Sequence, residues 1–348
     1  MTRPFRVALS PDFRLPGGAL AYPDFDLAPI ASDPRIEITW LPPGERIRGG
    51  DLEDTDALVL LVPRFDADSI PASGRLGLVA RFGVGFDSVD VAACSAAGIA
   101  VSVAPDGIRR PVAQAIMALL LALAGRMMTK DRITRQGPDG FHTRSRHMGV
   151  GLVGRTLASV GMGNIGAEMF RLAAPFGMRH VAHDPHADPA IAAELGVGLV
   201  ALDDVFAQGD FVAVNCPLSP ATRGLVDARR IDLMRPTAFL INTARGPIVE
   251  QPALVRALQE RRIAGAGLDV LDPEPPPADD PVLALDNVIV APHALAWTDQ
   301  AFSGMGASVL RSVLAVLSGE APAHLVDPSV RDHPRFRARL AANRARAG

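Results

Sequence analysis

Short apolar runs punctuate the chain at residues 6–9, 57–62, 76–80, 158–161, 180–183, 211–215, 238–242, 265–270 and 288–291. They are too short for ordinary helices and mostly uninterrupted rather than alternating, so each predicts a short strand buried on both faces. Between them, apolar residues fall at helical spacing, as in Ile165, Met169, Leu172 and Phe176, or from Leu254 to Leu258. The 32 Gly and 30 Pro are spread along the chain and supply the turns. Buried strands alternating with amphipathic helices predict an α/β protein whose parallel sheets are covered on both faces.

The pattern resets near residues 105–111, where a helix of about fifteen residues begins. It resets again near residues 293–297, before a second helix over roughly 298–317. Two crossings between domains are therefore expected. Residues 1–104 with 297–330 make a discontinuous substrate domain, and residues 105–296 make the second domain. Both are expected to be Rossmann-like or flavodoxin-like, with a cleft between them. Residues 331–348 hold six Arg and one Asp. They are expected to form a basic tail, more simply a solvated terminal helix than an arm for an anionic partner.

Composition narrows the function classes. A length of 348 residues suits two or three domains, and 48% hydrophobic content suits a large core. A disordered chain is excluded. With 35 basic and 38 acidic residues there is no global electrostatic case for nucleic acid or membrane. Only 5% of residues are aromatic, which disfavours a surface of stacked rings. Cys94 and Cys216 are too far apart for a metal knuckle, so no metal site is read, and nothing suggests an oxidised scaffold. The N-terminal residues lack the apolar core of a signal peptide, and the longest apolar run, 115–124, is half a bilayer span. A soluble, cytoplasmic protein is the expectation.

The most informative stretch is LASVGMGNIGAEMF. Gly161, Gly163 and Gly166 follow a short strand and open a helix that begins at Asn164 and Ile165. The first glycine permits a tight turn, the second lets backbone approach a pyrophosphate, and the third lets helix and strand pack closely. Free N–H groups at the helix start point at the phosphates. Asp184 ends the next strand, where a carboxylate accepts ribose hydroxyls and repels a 2′-phosphate. NAD is thus the expected cofactor, although His183 and His186 beside Asp184 could soften the discrimination.

Three later segments carry chemistry: LINTARGPIVE with Arg245, LDVLDPEPP with Glu274, and VIVAPHALAWT with His293. Oxidising a hydroxy acid at C2 requires removal of the hydroxyl proton as hydride leaves, which suits an imidazole. A carboxylate on the ring fixes its tautomer and stabilises the imidazolium. A guanidinium can hold the substrate carboxylate and polarise the C2 carbonyl. Each of the three follows a short apolar run, as expected at the carboxyl edge of a parallel sheet.

Together with RFGVGFDSVD, these segments resemble the NAD-dependent D-isomer-specific 2-hydroxyacid dehydrogenases, from about Arg81 to Trp297. The resemblance implies Arg245, Glu274 and His293 as the catalytic set. It implies that the N–H groups of Val84 and Gly85 clamp the substrate carboxylate with Arg245, while His293 meets the substrate at C2. It places Cys216 and Pro217 along the nicotinamide ribose, with Thr243 and Asp269 at the nicotinamide end, and it implies a homodimer through the long helix after Pro111. Cys216 is read as packing, because hydride transfer needs no thiol.

Some positions depart from the family pattern. Pro111-Val112-Ala113-Gln114 stands where many relatives carry a hydroxyl residue. Arg144, Arg146 and His147 make an unusually basic loop, read as solvated, with an acidic substrate or a partner subunit as the alternative. Trp297 either walls the substrate pocket or packs at a boundary. Formate oxidation is disfavoured because such relatives carry glutamine where Glu274 stands.

The expected activity is reversible hydride transfer between NAD(H) and a small D-2-hydroxy or 2-oxo acid, as in glyoxylate-type reductases. The alternatives are a phosphoglycerate dehydrogenase-like enzyme and an NAD-sensing, non-catalytic protein like the C-terminal-binding-protein corepressors. Substrate selection is expected from the first domain, around Phe13 and residues 61–64.

Overall fold

The structure is a computed structural model that describes residues 3–347. The chain divides into two compact units, one made of the residues up to Ile108 with those from Thr298 on, the other of Arg109–Trp297.

In the first unit, β1 (Phe5–Leu9), β2 (Ile36–Trp40), β3 (Ala57–Leu60), β4 (Leu78–Arg81) and β5 (Ala100–Ser102) form a parallel sheet of order β2-β1-β3-β4-β5. All four residues of β3 are buried. Leu58, Leu60, Val79 and Val101 share one core cluster with Cys94. A second cluster is aromatic, with Phe13 and Phe25 both packed edge-on against Phe82 at ring separations of 5.1 and 4.9 Å. The helix Asp299–Leu317 starts where Thr298 accepts the N–H of Ala301 at 3.1 Å. It is long and apolar enough to cross a membrane, but 61% of its most apolar stretch is buried, as befits a core helix.

The C-terminal residues correct the expectation of a separate basic tail. Pro334–Ala347 is a helix built into the first unit. Phe336 is fully buried. Arg339 donates to the carbonyls of Gly98 and Gly74, and Arg344 donates to that of Gly319 at 2.9 Å. Asn343 donates to Val316 at 2.8 Å. Arginines that read as solvated charge close off carbonyls left by glycine turns, while their aliphatic stems pack.

In the second unit, β6 (Thr156–Val160), β7 (Arg179–His183), β8 (Val197–Leu199), β9 (Phe211–Val214), β10 (Phe239–Asn242), β11 (Gly265–Leu268) and β12 (Val288–Val290) form a parallel sheet. Its order is β12-β11-β10-β9-β6-β7-β8. Along β9, Phe211 and Ala213 enter the cluster that holds Leu120 and Phe170. Val212 and Val214 enter the cluster that holds Phe206 and Leu254. This alternation of faces is the sheet geometry that requires a continuous apolar run. Arg109–Gly125 forms the long helix, with Pro111 in its first turn.

Strand order reverses between β6 and β9 in this sheet, and between β1 and β3 in the other. Ligands of such sheets bind outside the carboxyl ends of the strands at these reversals.

Candidate active site

The glycine turn sits at the β6/β9 reversal, and Gly161 and Gly166 are required for different reasons. Gly161 has φ +98°, and a Cβ there would lie 2.7 Å from the Cys216 nitrogen. A Cβ on Gly166 would lie 2.7 Å from the Gly161 carbonyl, so the helix could not approach. A Cβ on Gly163 would meet nothing within 4 Å, which leaves open space on the side a phosphate would occupy. The helix Asn164–Ala173 begins there without a side-chain cap, so the N–H groups of its first turn are available to an anion.

Asp184 directly follows β7 and straps this turn. Its Oδ2 accepts the N–H of Met162 and its Oδ1 that of His186, both at 2.8 Å. Each oxygen keeps a lone pair for a ribose hydroxyl. Its neighbour His183 contacts the Val200 carbonyl through Nδ1 at 3.0 Å. Cys216 and Pro217 follow β9 beside Gly161. Burial, aided by the charge of Asp184, pushes the Cys216 thiol up to about 11, which suits a packing role.

Thr243 follows β10, and its hydroxyl is buried without a hydrogen-bond partner. An unsatisfied buried hydroxyl is costly, and a bound polar group would satisfy it. With the open flank of Gly163 and the uncapped helix, it makes the second unit a fit for a dinucleotide.

Arg245, Glu274 and His293 all belong to the second unit. Asn242, 1% exposed, braces the first of them, donating to the Arg245 carbonyl at 2.9 Å and accepting the Ala244 N–H at 3.0 Å. Gly246 packs its α-carbon against the Leu271 carbonyl, so closely that a side chain there would collide with it. The Arg245 loop is thereby pressed onto the segment leading to Glu274. Glu274 accepts the Leu271 N–H through Oε1 at 2.9 Å, and its Oε2 pairs with His293 Nδ1 at 2.9 Å. Burial pushes the Glu274 carboxyl up. The hydrogen bond and charge of His293, the Leu271 N–H and the Arg245 guanidinium outweigh that and hold it below its ordinary value.

His293 adopts φ +56°, an uncommon conformation for a residue with a side chain. Asp269, 4% exposed, holds the turn by accepting the N–H groups of Ala294 and Leu295 at 3.0 and 3.3 Å. Burial raises the Asp269 pKa. The family resemblance assigns Asp269 to the nicotinamide end; in the structure its carboxylate holds the backbone of the turn that follows His293.

Three positioning residues escaped the sequence reading: Asn242, Gly246 and Gln251. Gln251 accepts the Asp272 N–H at 2.9 Å and donates to Asp280 at 2.8 Å. Only Asn242 left a usable signal, a polar residue ending a buried strand just ahead of the arginine.

Val84 and Gly85 lie in the first unit, on the loop after β4. In the basic loop, Arg144 is exposed and covers the Phe141 ring at 4.4 Å. Trp297 is 41% exposed.

Residues 117–294 match the model of the D-isomer specific 2-hydroxyacid dehydrogenase, NAD binding domain. The chain is 39% identical over 292 residues to a glyoxylate reductase of Korarchaeum cryptofilum, covering 83% of this chain and 88% of that one. The chain belongs to the D-isomer specific 2-hydroxyacid dehydrogenase family. This dehydrogenase is also 37% identical to a D-3-phosphoglycerate dehydrogenase of Mycobacterium tuberculosis, over 82% of this chain but only 54% of that one. Among solved structures, the glyoxylate reductase from Paecilomyes thermophila superposes with a TM-score of 0.80 at 25% identity, covering 93% of this chain and 98% of that one. The family makes this chain an NAD-linked oxidoreductase acting on 2-hydroxy and 2-oxo acids.

Proposed function

We propose that this dehydrogenase reduces a short 2-oxo acid of the glyoxylate class with NADH and runs reversibly, yielding the D-isomer where C2 is chiral. The observation that carries this is the 2.9 Å pairing of His293 with Glu274, beside the loop that presents Arg245. The coenzyme supplies hydride when bound. His293, with Nδ1 bonded to Glu274, gives its Nε2 proton to the C2 oxygen during reduction and takes it back during oxidation. Arg245 holds the substrate carboxylate through its fork and polarises the C2 carbonyl. The N–H groups of Val84 and Gly85 hold the same carboxylate. The Asn164–Ala173 helix start and Asp184 bind pyrophosphate and ribose.

The same proposal includes a homodimer through the long helix and its neighbours. Met127, Met128, Phe141, Met148 and Val153 are between 50% and 86% exposed, an apolar surface suited to a second copy. Sedimentation would show a dimer. A panel of glyoxylate, hydroxypyruvate and pyruvate tests the activity, with NADH and NADPH run side by side. Turnover with NADH, preferred over NADPH by roughly tenfold or more, is expected from the Asp184 carboxylate. No NADH consumption with any 2-oxo acid would overturn the proposal.

A further inference from the structure

Ser159 is a fully buried hydroxyl on β6. It lies two residues after Leu157, and therefore on the strand face that packs with Met169 and Phe170. An apolar side chain would satisfy packing there, yet the hydroxyl is used in a fixed direction. It donates to the Gly161 carbonyl at 2.6 Å. A carbonyl only accepts, so the lone pairs of Ser159 are left for Asn215, whose amide nitrogen donates to Oγ at 2.9 Å and also meets the Met169 sulfur at 3.6 Å. Asn215 directly follows β9, so this chain of hydrogen bonds spans the β6/β9 reversal beneath the glycine turn.

The carbonyl held in this way belongs to the peptide that joins Gly161 to Met162. The other end of the same peptide, the Met162 N–H, donates to Asp184 Oδ2 at 2.8 Å. A peptide unit is planar, so fixing its carbonyl also fixes where its N–H points. Gly161 supplies little stiffness of its own, because at φ +98° it is in a region that glycine enters freely. Its carbonyl is also the atom that Gly166 approaches at the start of the helix Asn164–Ala173. One peptide thus connects the turn, the helix start and the ribose-binding carboxylate.

We infer that Ser159 is a positioning residue for coenzyme binding: its hydroxyl fixes the Gly161–Met162 peptide, which holds Asp184 toward the ribose and the N–H groups of the helix start toward the pyrophosphate. Ser159 acts from beneath the turn, through backbone. With alanine in its place, the Gly161 carbonyl and one Asn215 N–H lose their partner. The peptide is then freer to rotate, and binding must order it.

The test is NADH affinity by fluorescence titration without substrate, followed by kcat and KM, for the wild type and Ser159→Ala, each also in an Asp184→Ala background. Loss of one hydrogen bond corresponds to about 3- to 10-fold, so Ser159→Ala should raise Kd and KM for NADH by that order. KM for the 2-oxo acid should change by less than about twofold, a split that a merely structural residue would not produce. Where Asp184 is already alanine, Ser159→Ala should weaken NADH binding by a smaller factor, because the strap that the peptide holds is gone. An NADH affinity unchanged by Ser159→Ala, or an equal loss with and without Asp184, would overturn the inference. The titration needs no turnover, so its outcome is independent of the 2-oxo acid activity proposed above.

Discussion

Glu274→Gln removes the charge facing His293 while keeping the side chain's size and an oxygen for the Leu271 N–H. Two unit charges 4 Å apart attract by about 1 kcal/mol in water and about 4 kcal/mol at an effective dielectric constant of 20. The His293 and Glu274 side chains are 42% and 38% exposed, so solvent screening places this pair toward the low end. About 1–2 kcal/mol corresponds to roughly 5- to 30-fold in rate.

The carboxylate stabilises the positive charge that forms on the ring as it takes the proton, so its loss should lower kcat/KM for oxidation of a 2-hydroxy acid. The Glu274 carboxyl is held below its ordinary value, so the pairing persists above that range and disappears as pH falls through it. The wild type and the variant should therefore converge in acid. The assay is kcat/KM against pH in both directions with NADH affinity measured separately. Superimposable profiles at equal rates would refute the reasoning.

Other substitutions probe the supports. Asp184→Asn should raise kcat/KM with NADPH relative to NADH by roughly tenfold or more, since the repulsion of a 2′-phosphate is lost; an unchanged ratio would retire the role of that carboxylate. Asn242→Ala should destabilise the Arg245 loop by about 1–3 kcal/mol and lower kcat, because two hydrogen bonds from a buried amide are lost; wild-type turnover would contradict this. Phe336→Ala should cost about 3–5 kcal/mol in denaturant unfolding, as for a buried core aromatic; a loss below about 1 kcal/mol would restore the view of residues 331–348 as a peripheral tail.

The strands that the apolar pattern revealed and those it missed differ in where they lie. β1, β3, β4, β6, β7, β9, β10, β11 and β12 each contain one of the apolar runs. β2, β5 and β8 do not, and all three are sheet edges, as is β12, the one edge strand whose apolar run marked it. Ile36–Trp40 is partly exposed along its whole length, so nothing forces it to be continuously apolar. The C-terminal helix was expected, but its packing was hidden, because its contacts are made by arginines to backbone carbonyls that no periodicity marks. In the site, Arg245, Glu274 and His293 were legible because the reaction dictates their types and they follow strands. Gly246 and Gln251 were not, since their roles depend on which loops touch.

The central claim is that His293 moves the proton that accompanies hydride transfer. Its most direct test is turnover of glyoxylate with NADH by His293→Ala, alongside NADH binding to the same protein. The account predicts a fall in kcat on the order of 10²–10⁴ with NADH affinity retained. Turnover near that of the wild type would contradict it.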